Sequence, residues 1–419
     1  MTRRLRLLVE SSNLVRVAGA DIVAYHVHDP NIPFVRTDLF HFAEACQRVL
    51  LFTEREPNYS LPANVELVST SLDWTRNRPL SIMVRWFHRL VLIYLAECWK
   101  IRKVLPLRGT FRKLIANVFR ANEVMRLLHD HGASGAWHYA FWFYDCIYLA
   151  WLRERGEIPL AVARAHSGDL YEDHVSIRNS ILLRHYQLDW LDGVFPISAM
   201  GSEYLALRYT ESRASIKTYY LGTTDPGCFN PHPVNEFVIV SCATFRHHKR
   251  IHRIAEALLH VRCPVTWVHF GDERLGQKDP AMAEYMRIRE QLLQSPHVRF
   301  VPMGYRANAD VMEYYKAHSV SLFVSLSRYE GIPVSMMEAI SFGIPVLSTD
   351  VGGCREIVND RTGMLIPLDT AVEEVARIIE CLGKSRFVTS GARADVRAYW
   401  QEKFNAEHNY ADLFADIGR

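Results

Sequence analysis

The chain has 419 residues, 49% of them hydrophobic, and a formal net charge of +3. That length exceeds a single core and predicts two domains with ample apolar side chains to bury. The charge excludes an acidic disordered protein and is too small to point to nucleic acid.

The first ten residues have a basic start, but Glu10 follows an apolar run too short for a signal peptide. No uninterrupted apolar stretch is long enough to span a bilayer. Cys46, Cys98, Cys146, Cys228, Cys242, Cys263, Cys354 and Cys381 are scattered, with neither a C-x-x-C pair nor metal-like spacing. Reduced thiols in a cytosolic protein follow.

Asp21–His26 and Arg48–Thr53 read as strands around a helix at 34–47, and Leu160–Arg164 reads as a further strand. Residues 76–126 hold twelve Lys or Arg against Glu97 and Glu123, a local charge of +10, interleaved with Trp86, Phe87, Tyr94, Trp99, Phe111 and Phe119. Two readings stand for this segment: a helical stretch lying on an anionic membrane surface, or a surface helix pair with solvated arginines. Pro226–Pro233 makes a linker.

Beyond it, strands near 237–243, 265–270, 297–301, 319–325, 345–349 and 363–367 alternate with helical patterns at 250–260, 281–294, 309–317, 333–342 and 371–382. This alternation implies a parallel sheet covered on both faces, with ligands at the carboxyl ends of its strands. Lys249, Gly271, Gly304, Glu330 and Gly352 fall at those ends. A last helical stretch runs through 397–414.

Glu330 and Glu338 bracket the start of a helix: Gly331 allows a tight turn, Pro333 suits the first helical position and Gly343 ends the helix. Such a helix start offers N–H groups and a positive dipole end to phosphate. Phosphate would repel carboxylates, so the two acids read as acceptors for hydroxyls on either side of it, as in a sugar nucleotide. Lys249 and Arg246 follow a strand, where a cation would neutralise a diphosphate leaving group; Arg246 also reads as a solvent-facing loop residue. There is no G-x-G-x-x-G, no H-E-x-x-H and no D-x-D, so neither a dehydrogenase fingerprint nor a metal clamp has a candidate.

The run Glu330 to Glu338 resembles the E-x7-E signature of retaining glycosyltransferases of family 4. Phe237–Ile251, Val268–Asp272, Phe300–Tyr305 and Thr349–Gly353 are similar to further segments of that family, and Val162–Tyr171 and Val194–Ser198 to segments of its bacterial surface-polysaccharide members. The resemblance covers roughly residues 160–370. It implies an α/β protein of the GT-B fold: two Rossmann-like doubly wound parallel-sheet domains facing a cleft, at 1–222 for acceptor and 226–395 for donor, with a helix at 396–419 crossing back to the first domain.

It further implies a hexosyltransferase-type, metal-independent enzyme of class EC 2.4. The enzyme would move sugar with retention from a UDP- or GDP-sugar to a glycan or lipid-linked glycan in surface polysaccharide synthesis. No cofactor is expected, and the location is cytoplasmic, peripheral on the inner face of the membrane. Catalytic positions would be Glu330, Lys249 and His166, the last by its similarity to a first-domain histidine that touches the donor sugar. Donor-binding positions would be Arg246, Gly271, Met303, Gly331, Ile332, Pro333, Val334 and Glu338. Asp169 either helps bind acceptor or caps the next helix. Thr244 stands where relatives carry Arg, and His28–Pro33 lacks the glycine pair common in the family. A non-catalytic nucleotide-sugar-binding protein and a sugar-nucleotide epimerase of the same fold are the alternatives.

Overall fold

Short apolar runs separated by helices form two parallel sheets in this computed structural model, which describes residues 22–70, 79–172, 183–232, 236–272 and 279–417. The N-terminal basic start and Arg76 and Arg78 lie outside the described residues. The chain divides into two units, Met1–Leu221 with Tyr410–Arg419, and Gly222–Asn409.

In the first unit, strands β1 Ile22–His26, β2 Arg48–Thr53, β3 Val65–Ser69, β4 Trp137–Ala140, β5 Ala161–Ala165, β6 Gly193–Pro196 and β7 Ser215–Ile216 pair in the order β3-β2-β1-β4-β5-β6-β7. All pairs are parallel. Every residue of β5 is buried, as expected of a strand covered on both faces. β3 and β4 were not expected from the sequence. β4 is Trp-His-Tyr-Ala, a polar-looking run whose His138 is buried by a 2.9 Å contact with His26 and ring stacking on it.

The second unit pairs β8 Val238–Cys242, β9 Val265–Phe270, β10 Val298–Gly304, β11 Leu322–Ser325, β12 Val346–Thr349 and β13 Gly363–Ile366 in the order β10-β9-β8-β11-β12-β13. These pairs are also all parallel. The winding reverses between β1 and β4 in one sheet and between β8 and β11 in the other. At such switch points the loops leaving the strand ends diverge and open a crevice for a ligand.

Two expectations are corrected. The stretch expected as one helix over 397–414 is two, Ser390–Lys403 and Ala406–Ile417. They break where Thr223 donates its N–H to the Phe404 carbonyl (2.8 Å) and accepts from the Ala406 N–H (3.1 Å). The second unit accordingly extends to Asn409 rather than ending at 395, and Tyr410–Arg419 belong to the first. There Tyr410, Tyr25 and Tyr139 donate to the buried Asp38 carboxylate at 2.5, 2.8 and 3.0 Å, with Arg164 3.6 Å from it.

The basic segment forms the helices Pro79–Ile101 and Leu107–Asp130. Leu90, Ile93, Leu114 and Val118 join the core, and the Tyr94 and Phe111 rings meet at 5.5 Å. Among the described residues no helix is long and apolar enough to cross a membrane. The eight cysteines, all among the described residues, form no disulfide.

Candidate active site

The site is built where the second sheet reverses. After β8 the chain passes through Arg246 and a 3-10 turn, His247–Lys249, before the helix Ile251–Leu258. After β11 it passes through Arg328, Tyr329 and Glu330 before the helix Val334–Ser341. The two loops are joined at three places. Lys249 Nζ lies 2.6 Å from Glu330 Oε1, the Arg328 N–H donates to the His248 carbonyl at 2.6 Å, and the His248 and Tyr329 rings stack at 4.6 Å. His248 thus fixes one loop upon the other.

The backbone of Glu330 is held from a third loop, following β12. Gly352 has φ +50, and a Cβ there would overlap the Glu330 carbonyl oxygen. Gly353 donates its N–H to the Gly331 carbonyl at 2.8 Å. Only glycine permits both the left-handed conformation and this approach. The helix itself begins one residue later than expected, with Pro333 as its N-cap. Pro333 carries no N–H, so donors for an anion come from Gly331, Ile332, Val334 and the first helical turn.

Glu338 sits half-buried on that helix. Burial pushes its carboxyl up to about 7, although the Asn308 amide donates to it at 2.6 Å and favours the charged form. Asn308 opens the helix Asn308–Ala317, thirty residues earlier in the chain. No local pattern in the sequence marks it.

Gly271, after β9, donates its N–H to the Gly304 carbonyl at 3.0 Å. A Cβ there would overlap the Ala243 carbonyl oxygen and approach His269 Nε2, so the position requires glycine. Met303 lies at the register shift between Pro302 and Gly304 on β10. Arg246 is exposed, whereas Ile332 and Pro333 are buried. The second unit therefore carries Lys249, Gly271, Met303, Glu330 and Gly331 on the loops and strand ends of one sheet, and Glu338 on the helix Val334–Ser341 that follows one of them.

His166 belongs to the first unit, at the carboxyl end of β5. It is buried, and its Nε2 lies 3.0 Å from the Phe141 carbonyl. A carbonyl can only accept, so Nε2 carries the proton. Burial, aided by the nearby Arg164 charge, lowers the imidazole to about 3, and the ring is neutral at physiological pH. Phe141 and Trp142 flank it, each at 4.5 Å. Asp169 accepts the N–H groups of His166 and Phe143 at 2.5 and 2.7 Å, which is the capping role.

Residues 229–400 match the family model described as glycosyl transferases group 1. Anabaena HepE, solved in complex with UDP, superposes with a TM-score of 0.66 over 94% of this chain and 98% of its own, at 16% identity. The fold is GT-B.

The chain is 29% identical over 163 residues to the Vi polysaccharide biosynthesis protein VipC/TviE of Salmonella typhi, covering 35% of this chain and 26% of that protein. It is 27% identical over 236 residues to the putative colanic acid biosynthesis glycosyltransferase WcaL of Escherichia coli K12, covering 52% of this chain and 55% of that one. The chain thus spans about a quarter and about half of the length of these curated relatives. In GT-B terms the second unit, with its group 1 match, is the side on which Lys249, Glu330 and Glu338 stand.

Proposed function

We propose that the protein is a retaining glycosyltransferase of family 4 type that transfers a hexose from a nucleotide-diphosphate sugar to a growing surface glycan. The observation that carries this reading is the 2.6 Å pair of Lys249 and Glu330 at the point where the second sheet reverses. A cation and a carboxylate held there suit a ligand that offers both phosphate and hydroxyl groups. Lys249 and the N–H groups from Gly331 onward take the diphosphate, Glu330 takes sugar hydroxyls and Glu338 the ribose diol. Arg246 adds a second cation, Gly271 and Met303 border the nucleotide, and His166 keeps the sugar-contacting role that the family resemblance gives it.

In the reaction the C1–O bond to the diphosphate breaks and a bond from the acceptor oxygen to C1 forms on the same face. The acceptor proton passes to the departing phosphate. Lys249 stabilises the charge growing on that group, a role electrostatic preorganisation makes large, and no divalent ion is required. UDP-sugars are the favoured donors, because the HepE structures hold UDP and UDP-glucose. The names of the curated relatives favour a bacterial polysaccharide as acceptor; its carriage on lipid at the inner face of the cytoplasmic membrane is what the family resemblance adds.

The test is to incubate the protein with UDP-sugars and polysaccharide fragments and follow the anomeric proton by NMR. Nucleotide release that depends on acceptor, with the donor's configuration kept, is expected. Inversion, or activity abolished by EDTA and restored by a divalent ion, defeats the mechanism.

A further inference from the structure

The helix Pro79–Ile101 and the turn after it present an apolar face that the other described residues of the first unit leave uncovered. Val84, Phe87, Leu92, Leu95 and Trp99 recur at helical spacing on one side, and Val104 and Leu107 continue the strip. Val84 is 80% exposed and Trp99 85%, values more typical of charged residues than of large apolar ones. Leu90 and Ile93, on the opposite side, are buried in the core, so the uncovered side is not a helix awaiting its own domain.

The exposed charge that the segment itself contributes between residues 84 and 112 has one sign, although Asp189 and Glu211 lie beside Trp99 and Arg102. Arg85, Arg102, Lys103, Arg108 and Arg112 are exposed. The one acid between residues 84 and 112, Glu97, is buried and accepts the N–H groups of His185 and Tyr186 at 3.3 and 3.2 Å. Among the described residues three of the segment's cations are ion-paired: Arg89 with Glu154, Lys100 with Asp189 at 2.6 Å, and Arg126 with Glu123 and Asp130. The basic segment is therefore an apolar strip with a cationic rim rather than a uniformly charged surface.

We infer that this face inserts shallowly into the surface of an anionic lipid bilayer, with Phe87, Leu95 and Trp99 entering the headgroup boundary and the exposed Arg and Lys meeting lipid phosphates. Apolar insertion supplies the affinity, and the cationic rim supplies the preference for anionic lipid. A second copy of the chain fits less well, because a two-fold contact through one patch sets cationic rim against cationic rim. Docking of this kind goes beyond the transfer chemistry and does not depend on it.

The test uses the full chain with vesicles of phosphatidylethanolamine and phosphatidylglycerol, and with phosphatidylcholine vesicles as the neutral control. The wild type should float with the anionic vesicles. Phe87→Ser with Leu95→Ser and Trp99→Ser should lose at least about tenfold in vesicle affinity at low and high salt alike. Arg102→Gln with Lys103→Gln and Arg108→Gln should retain binding but lose most of its salt dependence. Brominated lipid should quench wild-type tryptophan fluorescence more than that of Trp99→Phe, which stays bound. UDP affinity, a property of the second unit, should match wild type in every variant. That measurement reports folding and separates failure of the docking from failure of the transferase reading. Unchanged vesicle binding by the apolar triple variant overturns the inference. So does an absence of vesicle binding, whether ultracentrifugation shows a dimer that the same triple variant dissolves or an acidic protein partner is found on this face.

Discussion

Lys249 and Glu330 pair across 2.6 Å, and in the proposed reaction each serves a different part of the ligand. A diphosphate competes with Glu330 for the lysine, while sugar hydroxyls replace the lysine at the carboxylate. The pair therefore favours the intact sugar nucleotide over the bare diphosphate, which has nothing to offer Glu330. Glu330→Gln should bind UDP at least as tightly as wild type in calorimetry and lose at least about tenfold in kcat with the sugar nucleotide. Weaker UDP binding by this variant sinks the division of roles.

Lys249→Ala removes a charged hydrogen bond, at a cost on the order of 1.5–3 kcal/mol, and more if the charge grows as the bond breaks. A fall in kcat of about tenfold or greater is expected, with a smaller change in donor affinity. If steady-state kinetics showed kcat intact, the role would move to the exposed Arg246.

If Glu338 takes the ribose diol as proposed, donor binding depends on pH. Its carboxyl, raised by burial to about 7, is largely protonated at pH 6 and ionised at pH 8. A diol donates to the ionised form, so UDP affinity should rise across this interval and binding should release protons below the midpoint. Calorimetry in buffers of different ionisation enthalpy reads this directly. Asn308→Ala should move the midpoint upward and Glu338→Gln should flatten the profile. The stability linkage has the opposite sense: with the folded value above the unfolded one, the stabilising contribution is full below the ordinary carboxyl range and fades as pH rises through about 7.

Gly352→Ala should displace Glu330 through the backbone, since the new Cβ meets the Glu330 carbonyl at a position with φ +50. Loss of about tenfold or more in kcat/KM is expected, because small displacements of positioned groups are costly. Gly132→Ala, also at positive φ but with nothing within 4 Å, is the control for backbone strain alone.

The Asp38 cluster should govern stability without governing donor binding. Tyr410→Phe removes one of three hydroxyl donors and should cost about 1–3 kcal/mol in urea unfolding. Arg164→Met leaves a buried acid without its guanidinium and should cost about 3–5 kcal/mol. UDP affinity should be unaltered wherever the protein remains folded.

The sequence by itself determined the donor-side sheet. β8, β9, β11 and β12 are short, mostly apolar runs, and a strand buried on both faces can hardly be written otherwise. It also placed Lys249, Glu330 and Gly271 at strand ends, because in a parallel sheet every such end lies on one edge. Tertiary structure decided what local pattern cannot carry. Asn308 meets Glu338, thirty residues on, only because the fold brings the start of one helix against the middle of another. His138 is a strand residue because His26 covers it, and Phe404 ends a helix because the distant Thr223 takes its carbonyl. In the segment 76–126 composition gave the charge, but packing decided which cations are bound to Glu154 and Asp189 and left the apolar strip outside. Each of these outcomes is set by long-range contacts, whose energies depend on neighbours in space rather than along the chain.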